Sequence, residues 1–473
     1  MRKIFNWLIA VTLICGASVL TSCSSKEDNP GEPTVKNPER QAFEKEFSAV
    51  LQKSADQIRF DAIKQSLTSI GDFFESLDAD ALSNKVMEMI PEILTSTTPL
   101  RIDNLSEEDF KAVCAALNER FSLSEEEVRN LDGFLLVDAN STIGTMKVTI
   151  ENGQATQSEN DGFCLENIDK NGKSSSITLK FKQEHDGVRF FATRLFQSTP
   201  VCIQLPKQID ITVSTANGVQ LTGTVFLDTD APSKYISFKH SLWAGLCSLT
   251  SEYYGRHETL EGAIIHGQDR SFNINFGFGI DGVEKASLTI MGMNEPYSEE
   301  YIKSDELKSL RDCGAFFAAA YDVLKVINGK TVDNIEFSLG NLVFNAKVDD
   351  VAACLLALGN IRKMHGTKPG FKAVDEYTKI LNENFHYTVS IKDTNIEAQG
   401  SLVTIMKGFE EQEYQPAVAL QFAGEPQPMV LMERMTEQDM ENYKKIMGSV
   451  NELAKYASDM LQKIRDKFSS SKS

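Results

Sequence analysis

Six histidines carry the side chain most widely used in catalysis and metal binding, yet their spacing matches no known type of site. They are His185, His240, His257, His266, His365 and His386. No two of them form an HExxH pattern, and the chain has no GxSxG nucleophile elbow. Asp169-Lys170-Asn171-Gly172 begins like a calcium loop but lacks the later acidic ligands, which favours a polar turn. We therefore predict no catalytic residue, no metal site and no cofactor, while a catalytic site assembled only in three dimensions stays open.

A glycine-rich segment, Gly277 to Gly282, matches the GxGxxG pattern of dinucleotide-binding proteins letter for letter. That chemistry needs a helix directly after the glycines, because the helix N-terminus holds the pyrophosphate. Here the apolar residues alternate from Ala286 to Ile290, which predicts a strand, and Asp281 stands where the phosphate would lie. The segment therefore predicts a hairpin turn.

The cysteines are too far apart to form a redox or zinc motif. Besides Cys15 and Cys23 they are Cys114, Cys164, Cys202, Cys247, Cys313 and Cys354. The closest two of these six, Cys164 and Cys202, are 38 residues apart, so no CxxC pair exists. Cys114 and Cys354 have apolar neighbours at helical spacing, and we interpret them as small buried hydrophobes. We expect free thiols, with the disulfide pairing of the six left open.

The first 22 residues have the organisation of a secretory signal. Arg2 and Lys3 give a positive start, and an apolar run from Ile4 to Leu20 closes on small residues. This run has 17 residues and includes Asn6, whereas a helix that spans a bilayer needs about 20 apolar residues. We therefore predict a cleaved signal peptide at residues 1–22 in preference to a transmembrane helix.

Leu20-Thr21-Ser22-Cys23 resembles the bacterial lipobox, which is an apolar residue, two small residues and a cysteine. The resemblance covers this segment alone. It implies that Leu20, Thr21 and Ser22 are recognised by the signal peptidase and that Cys23 is the lipid attachment site. It also implies a diacylglycerol thioether on Cys23, cleavage before it and acylation of the new amino group. Two or three acyl chains, at about 0.8 kcal/mol per buried methylene, give stable retention in a membrane.

The residues after Cys23 resemble the short acidic export tag of Bacteroidota lipoproteins, with Lys26, Glu27 and Asp28 as the tag. That resemblance implies a lipid-anchored protein of the outer membrane that faces the cell exterior. The alternative is an ordinary solvated segment on a protein that faces the periplasm. Residues 23–38 contain three prolines and few apolar side chains, which is typical of a flexible tether.

Composition limits the partners. The chain has 473 residues, with 67 acidic and 48 basic side chains and a net charge of −19. This length is enough for two or three folding units that each bury a core. The acidic balance argues against nucleic acid and against electrostatic docking on anionic lipid, because basic side chains supply the attraction to phosphate. We therefore predict no nucleic-acid partner, and a membrane association that depends on the acyl chains on Cys23.

Hydrophobic periodicity divides the body of the protein into three regions. Residues 39–135 show helical spacing and predict a helical region. Residues 136–295 alternate with period two, and Asn-Gly or Asp-Gly pairs such as Asn152-Gly153 and Asp281-Gly282 predict hairpin turns. Residues 296–473 mix both periods and end in a helix from Thr436 to about Lys467. Residues Tyr235 to Tyr254 are ambiguous between strand and helix.

These regions together predict an α+β fold. Its parts are an N-terminal helical layer, an antiparallel hairpin-rich sheet and a second α+β unit that ends in a long C-terminal helix. The pattern of helices followed by hairpins occurs twice, which leaves a duplication open.

Three functional hypotheses remain. The sequence best fits a non-enzymatic cell-envelope lipoprotein whose acidic body binds or scaffolds a protein, glycan or hydrophobic partner. The first alternative is a carrier or sensor of a lipid-like ligand, since the 28 phenylalanines could line an apolar cavity as well as an ordinary core. The second alternative is an envelope or polymer hydrolase without a recognisable motif. Trp243 is the sole tryptophan after the leader, which weakens the case for a glycan-binding surface.

We expect Cys23→Ala to abolish labelling by a fatty-acid analogue and to shift the protein from the membrane fraction to the soluble fraction, because the acyl chains are the membrane link. Metabolic labelling followed by cell fractionation measures both effects. The control Cys15→Ala changes a leader cysteine and should leave labelling intact. Labelled Cys23→Ala protein, or mature protein that still begins at Met1, would contradict the prediction.

Overall fold

A computed structural model describes residues 37–469 except for gaps at 183–186, 197, 219, 229–232, 236–241, 254–255, 267–271, 365–366, 368 and 408–412. The α-helices of this part are α1 (Pro38–Gln57), α2 (Asp61–Ser76), α3 (Ala79–Ser96), α4 (Glu107–Phe121), α5 (Glu125–Arg129), α6 (Ala139–Ile143), α7 (Glu299–Ile302), α8 (Asp305–Lys308), α9 (Ala315–Ile327), α10 (Val351–Met364), α11 (Phe371–Asn384), α12 (Leu431–Arg434) and α13 (Glu437–Ser469).

The strands are β1 (Pro99–Arg101), β2 (Gly133–Asp138), β3 (Met146–Glu151), β4 (Gln154–Glu159), β5 (Phe163–Ile168), β6 (Ser174–Lys182), β7 (Val188–Phe196), β8 (Thr199–Leu205), β9 (Gln208–Ser214), β10 (Gln220–Asp228), β11 (Leu242–Tyr253), β12 (Arg256–His266), β13 (Phe272–Ile280), β14 (Val283–Asn294), β15 (Thr331–Leu339), β16 (Leu342–Val348), β17 (Phe385–Ile391), β18 (Glu397–Lys407), β19 (Glu413–Gln421) and β20 (Met429–Val430).

The chain forms two compact units. Unit 1 consists of residues up to Asp61 together with Arg270–Ser458, and unit 2 consists of Ala62–Asp269 together with Asp459–Ser473. The predicted α+β class is confirmed, as are the N-terminal helices and the long C-terminal helix, which here begins at Glu437. The region boundaries at 135/136 and 295/296 stay predictions.

Unit 1 contains an antiparallel meander in which each strand from β13 to β20 pairs with the next one along the chain. Its apolar face is well covered: Ile274 and Ile290 are 0% exposed, Val332 is 1% exposed and Ile335 is 4% exposed. Helix α11 packs on β17, β18 and β19. Strand alternation places these apolar residues on one face, so a single buried side accounts for the core of this unit.

Unit 2 contains two sheets. In the larger one the strand order is β12-β11-β10-β9-β6-β5-β3-β4, and in the smaller one it is β1-β2-β8-β7. Strand β3 pairs with β5 in parallel, and β2 pairs with β8 in parallel, which departs from the predicted antiparallel sheet. The alternation of apolar and polar residues along a strand shows which of its residues share a face. It does not show which other strand is its neighbour in the sheet, or in which direction that strand runs. The ambiguous stretch before Tyr254 is a strand, β11, from Leu242 onward.

The predicted turns are confirmed where they are described. Asn152 and Gly153 have φ values of 50° and 77°, and Asp281 and Gly282 have 52° and 76°, as a tight hairpin between twisted strands requires. The GxGxxG segment therefore ends β13 and leads into β14, with no helix at its end. The segment that begins like a calcium loop, Asp169 to Gly172, is a polar turn. The Asp169 carboxylate accepts hydrogen bonds from the backbone N–H groups of residues 171 and 173.

A tyrosine ring covers a glycine in the sheet of unit 1. Tyr387 is 2% exposed, and a Cβ atom added to Gly400 on the neighbouring strand would overlap its ring. The ring cannot move aside easily, because its hydroxyl donates a hydrogen bond to the Ser401 carbonyl at 2.7 Å and it packs against Phe344 and Phe385. Position 400 therefore requires a residue without a side chain.

We expect Gly400→Ala to lower the free energy of unfolding by about 1–3 kcal/mol, the usual cost of overpacking a core. Chemical denaturation followed by tyrosine fluorescence measures the change. Gly448→Ala is the matched control: Gly448 lies within α13 with open space around its Cα, and alanine is favoured over glycine in a helix by about 0.5–1 kcal/mol. Equal stability of the two variants would contradict the assignment.

Candidate functional site

The residues predicted to carry the lipid and export signals are Leu20, Thr21, Ser22, Cys23, Lys26, Glu27 and Asp28, and they lie outside the described residues. In the part of the chain that the structure describes, no helix is both long enough and apolar enough to cross a membrane. The geometry below therefore concerns the body of the protein.

Free thiols are confirmed for the cysteines at 114, 164, 202, 313 and 354. Burial raises the pKa of Cys202 and Cys354 to about 12. Both are therefore protonated at neutral pH, and the interpretation of Cys354 as a small buried hydrophobe is confirmed.

Titratable side chains form surface ion pairs in unit 1. The His386 Nε2 atom lies 3.0 Å from a carboxylate oxygen of Asp349, and the Lys347 ammonium lies 2.9 Å from the other oxygen. The hydrogen bond from Lys347 and a weaker one from His386 hold the pKa of Asp349 below its usual value. All three side chains are exposed, as is typical of a solvated cluster of low energy. Among the described residues, no group of three or more His, Cys, Asp and Glu side chains is placed to hold a metal ion.

A buried carboxylate positions helix α2 on the larger sheet of unit 2. Glu258 lies on β12 and is 0% exposed. Its Oε2 atom accepts hydrogen bonds from the backbone N–H groups of Ala62 at 2.9 Å and Ile63 at 3.2 Å. These are N–H groups of the first helical turn, which have no acceptor within the helix. A negative charge at this end of a helix also interacts favourably with the helix dipole.

Two further contacts fix the course of α2 across the strands. Asn217, in the turn between β9 and β10, donates to the Ser69 hydroxyl at 3.4 Å, and Asn167 on β5 donates to the Ser76 hydroxyl at 2.9 Å. With Glu258, these contacts lie at the same end of β5, β9, β10 and β12. Helix α2 therefore crosses one end of the sheet.

The apolar face of this sheet is only partly covered beyond α2. Val213, in the row of residues nearest the helix, is 4% exposed. Farther along the same face the side chains are of intermediate exposure, and they are Leu179, Phe181, Ile209, Ile211 and Val225. Register places Leu179 beside Ile211, and Phe181 beside Ile209 and then Val225. Apolar side chains at strand centres are thus accessible, unlike most of those in unit 1.

Glycines interrupt the same apolar face. Gly223 on β10 and Gly262 on β12 both pair with Cys247 of β11, in the row that contains Leu179 and Ile211. In the next row, Gly245 pairs with Val225. Glycine in a strand interior often marks a place where a ligand or another backbone approaches closely. Gly223 and Gly262 thus leave two positions of this row without a side chain, and we call this part of the apolar face the depression.

The opposite face of the sheet has mainly polar side chains where it is described, although Phe226 on this face is 36% exposed. Thr178, Thr212 and Thr222 stand in one row across β6, β9 and β10. Beside them the Glu166 carboxylate lies 2.7 Å from the Lys147 ammonium and accepts a hydrogen bond from the hydroxyl of residue 174. Partial burial raises the pKa of Glu166, but these hydrogen bonds lower it by more, and the net pKa lies below its ordinary value. This face is a solvated surface, so the apolar face is the unusual one.

Helix α3 of the same unit also exposes apolar side chains. Val86 is 39% exposed, Met87 is 66% exposed and Ile90 is 43% exposed. Pro91 follows within the helix, and because it lacks an N–H group the Met87 carbonyl has no helical donor. Unit 2 therefore has accessible apolar surface on both a sheet and a helix, which exceeds the single exposed residues found on most surfaces.

No protein-family model, no curated protein and no solved structure matches this chain. The function must therefore be inferred from the chain itself. The period-two alternation of residues 136–295 predicted these strands, but it did not predict which glycines share a row. The sequence does contain Gly223 at a position of the apolar face, where a larger side chain is usual. Only the strand register shows that Gly262 lies in the same row.

We expect Glu258→Ala to destabilise unit 2 by about 2 kcal/mol or more, because it leaves two backbone N–H groups of α2 without an acceptor in a buried position. Thermal unfolding and hydrogen exchange of α2 measure the effect. The matched control is Glu261→Ala on the same strand: Glu261 is exposed, and such surface changes usually stay within about 0.5 kcal/mol. A Glu258→Ala protein as stable as the control would show that the carboxylate does not hold the helix.

Proposed function

We propose that the protein is a non-enzymatic cell-envelope lipoprotein, anchored in the outer membrane through Cys23, whose body binds a hydrophobic, lipid-like ligand. The lipobox and the acidic residues after it support the anchor and its location. The partly covered apolar face in unit 2 supports the ligand class, and it is the observation that carries the proposal. The ligand lies in the depression lined by Leu179, Ile211 and Val225.

The energetics favour an apolar ligand at this face. Removing apolar surface from water contributes about 25 cal/mol per Å². Where aliphatic side chains at the centres of strands stay accessible to water, the fold itself does not gain this burial free energy. An alkyl ligand that covers Leu179, Ile211 and Val225 supplies the missing burial, and binding becomes favourable without any specific polar contact.

The shape of the face favours a narrow ligand. Gly223 and Gly262 lie on either side of Cys247 in one row, so the two positions without side chains are aligned across the strands. The described side chains around the depression are mainly aliphatic. Protein interfaces, in contrast, depend on a few large aromatic or arginine anchors that fill pockets in the partner. A linear or small apolar molecule therefore fits this surface better than a folded protein does.

We expect the mature chain from Ser24 onward, which keeps every described residue, to bind the neutral fluorophore N-phenyl-1-naphthylamine. We expect Gly262→Val to weaken this binding at least about tenfold, or about 1.4 kcal/mol, because its side chain fills the depression. Fluorescence titration measures the affinity, and native mass spectrometry of gently purified protein detects a co-purified lipid.

The matched control is Ala263→Val, which adds a similar side chain to the opposite face of the same strand. It should leave the affinity unchanged. Absence of fluorophore binding in the unmodified protein, or equal weakening by both variants, would reject the apolar face as the ligand site.

A further inference from the structure

The half-covered part of the apolar face in unit 2 extends as far as β3. One row of half-buried side chains crosses β3, β5, β6 and β9, and its members are Met146, Phe163, Leu179 and Ile211. Met146 stands beside Phe163 because the register pairs the next two residues, Lys147 and Cys164. Val148, two residues after Met146 on the same face, is buried. The cover of β3 therefore stops between Val148 and Met146.

Helix α3 packs on β4, the strand beside β3. Asp78 caps the start of the helix and lies beside Gly153, in the turn that precedes β4. After the helix the chain enters β1, which pairs with β2. Strand β2 leads through α6 to Met146, opposite Glu159 at the end of β4. The helix therefore runs in the direction of β4, from its first residue towards its last.

The helix lies on the apolar side of the sheet. Ser76, just before α3, accepts a hydrogen bond from Asn167, and Asn167 shares its face with the buried Ile150. Met89 of α3 is itself buried, so its side chain marks the side of the helix that faces the sheet.

An exposed apolar side of α3 is turned towards β3. At about 100° per residue, Val86 and Ile90 lie about 60° and about 100° clockwise from Met89, viewed from the start of the helix. The two-residue turn before β4 makes Ile150 and Ala155 a pair without mutual hydrogen bonds. With L-residues, β3 then lies to the left of β4 when the apolar face is towards the viewer and β4 runs upward. A right-handed helix running upward over β4 directs Val86 and Ile90 to the left, over β3.

The other sides of α3 differ in character. Lys85 and Glu88 form an ion pair at 3.1 Å, and the same count of angles places them on the outer side, away from β3. Met87 lies about 160° from Met89 and points into solvent. Val86 and Ile90 thus form an apolar wall at the end of the row.

We propose that one extended alkyl chain lies along this row, with its methyl end against Val86 and Ile90. This inference rests on the proposed function and names the ligand class, a molecule with a single long alkyl chain. From β3 to β10 the row crosses four strand spacings, or about 19 Å, which a linear chain covers and a compact ring system does not. The methyl end lies at α3 because burial against apolar side chains is favourable for a methyl group and costly for a polar headgroup.

Displacement of the fluorophore tests the contact with α3. Dodecanol is titrated against the mature chain carrying bound N-phenyl-1-naphthylamine. We expect the double variant Val86→Gln with Ile90→Gln to weaken dodecanol binding at least about fivefold, or about 1 kcal/mol, because amides replace apolar contacts with the chain. The matched control Met87→Gln makes the same kind of change on the solvent side of α3 and should alter the affinity less than about twofold.

A photoreactive ligand tests the direction of the chain. We expect a dodecanol analogue with a diazirine at its terminal carbon to label α3 after irradiation, and an analogue with the diazirine next to the hydroxyl group to leave α3 unlabelled. Mass spectrometry of the digested protein locates the label.

Thermal unfolding checks that the variants fold, which we expect because all three replaced side chains are exposed. A double variant no weaker than Met87→Gln, or absence of α3 label from the terminal diazirine, would overturn the inference. The proposed function still stands in that case if Gly262→Val weakens fluorophore binding. Failure of the unmodified protein to bind both dodecanol and the fluorophore would instead overturn the proposed function.

Discussion

The architecture of unit 2 depends on one buried carboxylate. Glu258 receives the first N–H groups of α2 and thereby fixes where this helix begins on the sheet. A helix of 16 residues extends for about 24 Å, which matches the five spacings of about 4.8 Å between the six strands from β12 to β5. It is only about 10 Å wide, so it covers one end of the apolar face and leaves the rest accessible.

Unit 1 contains a sheet whose apolar face is more completely covered than that of unit 2. Its apolar residues at Ile274, Ile290 and Val332 are almost inaccessible to water, and its glycine at position 400 is filled by the ring of Tyr387. In unit 2 the register places Gly223 and Gly262 in one row, on either side of Cys247. Both sheets have an apolar face on alternating strand residues, and this face is more completely covered in unit 1 than in unit 2.

The sequence predicted the elements better than their arrangement. Local signals such as Asn152-Gly153, with both φ values positive, depend on residues that are adjacent in the chain, and they identified the turns correctly. The parallel pairing of β2 with β8 joins Leu135 to Val201, and no local pattern records such a partner. The resemblance of residues 20–23 to a lipobox stays a prediction, since these residues lie outside the described part of the chain.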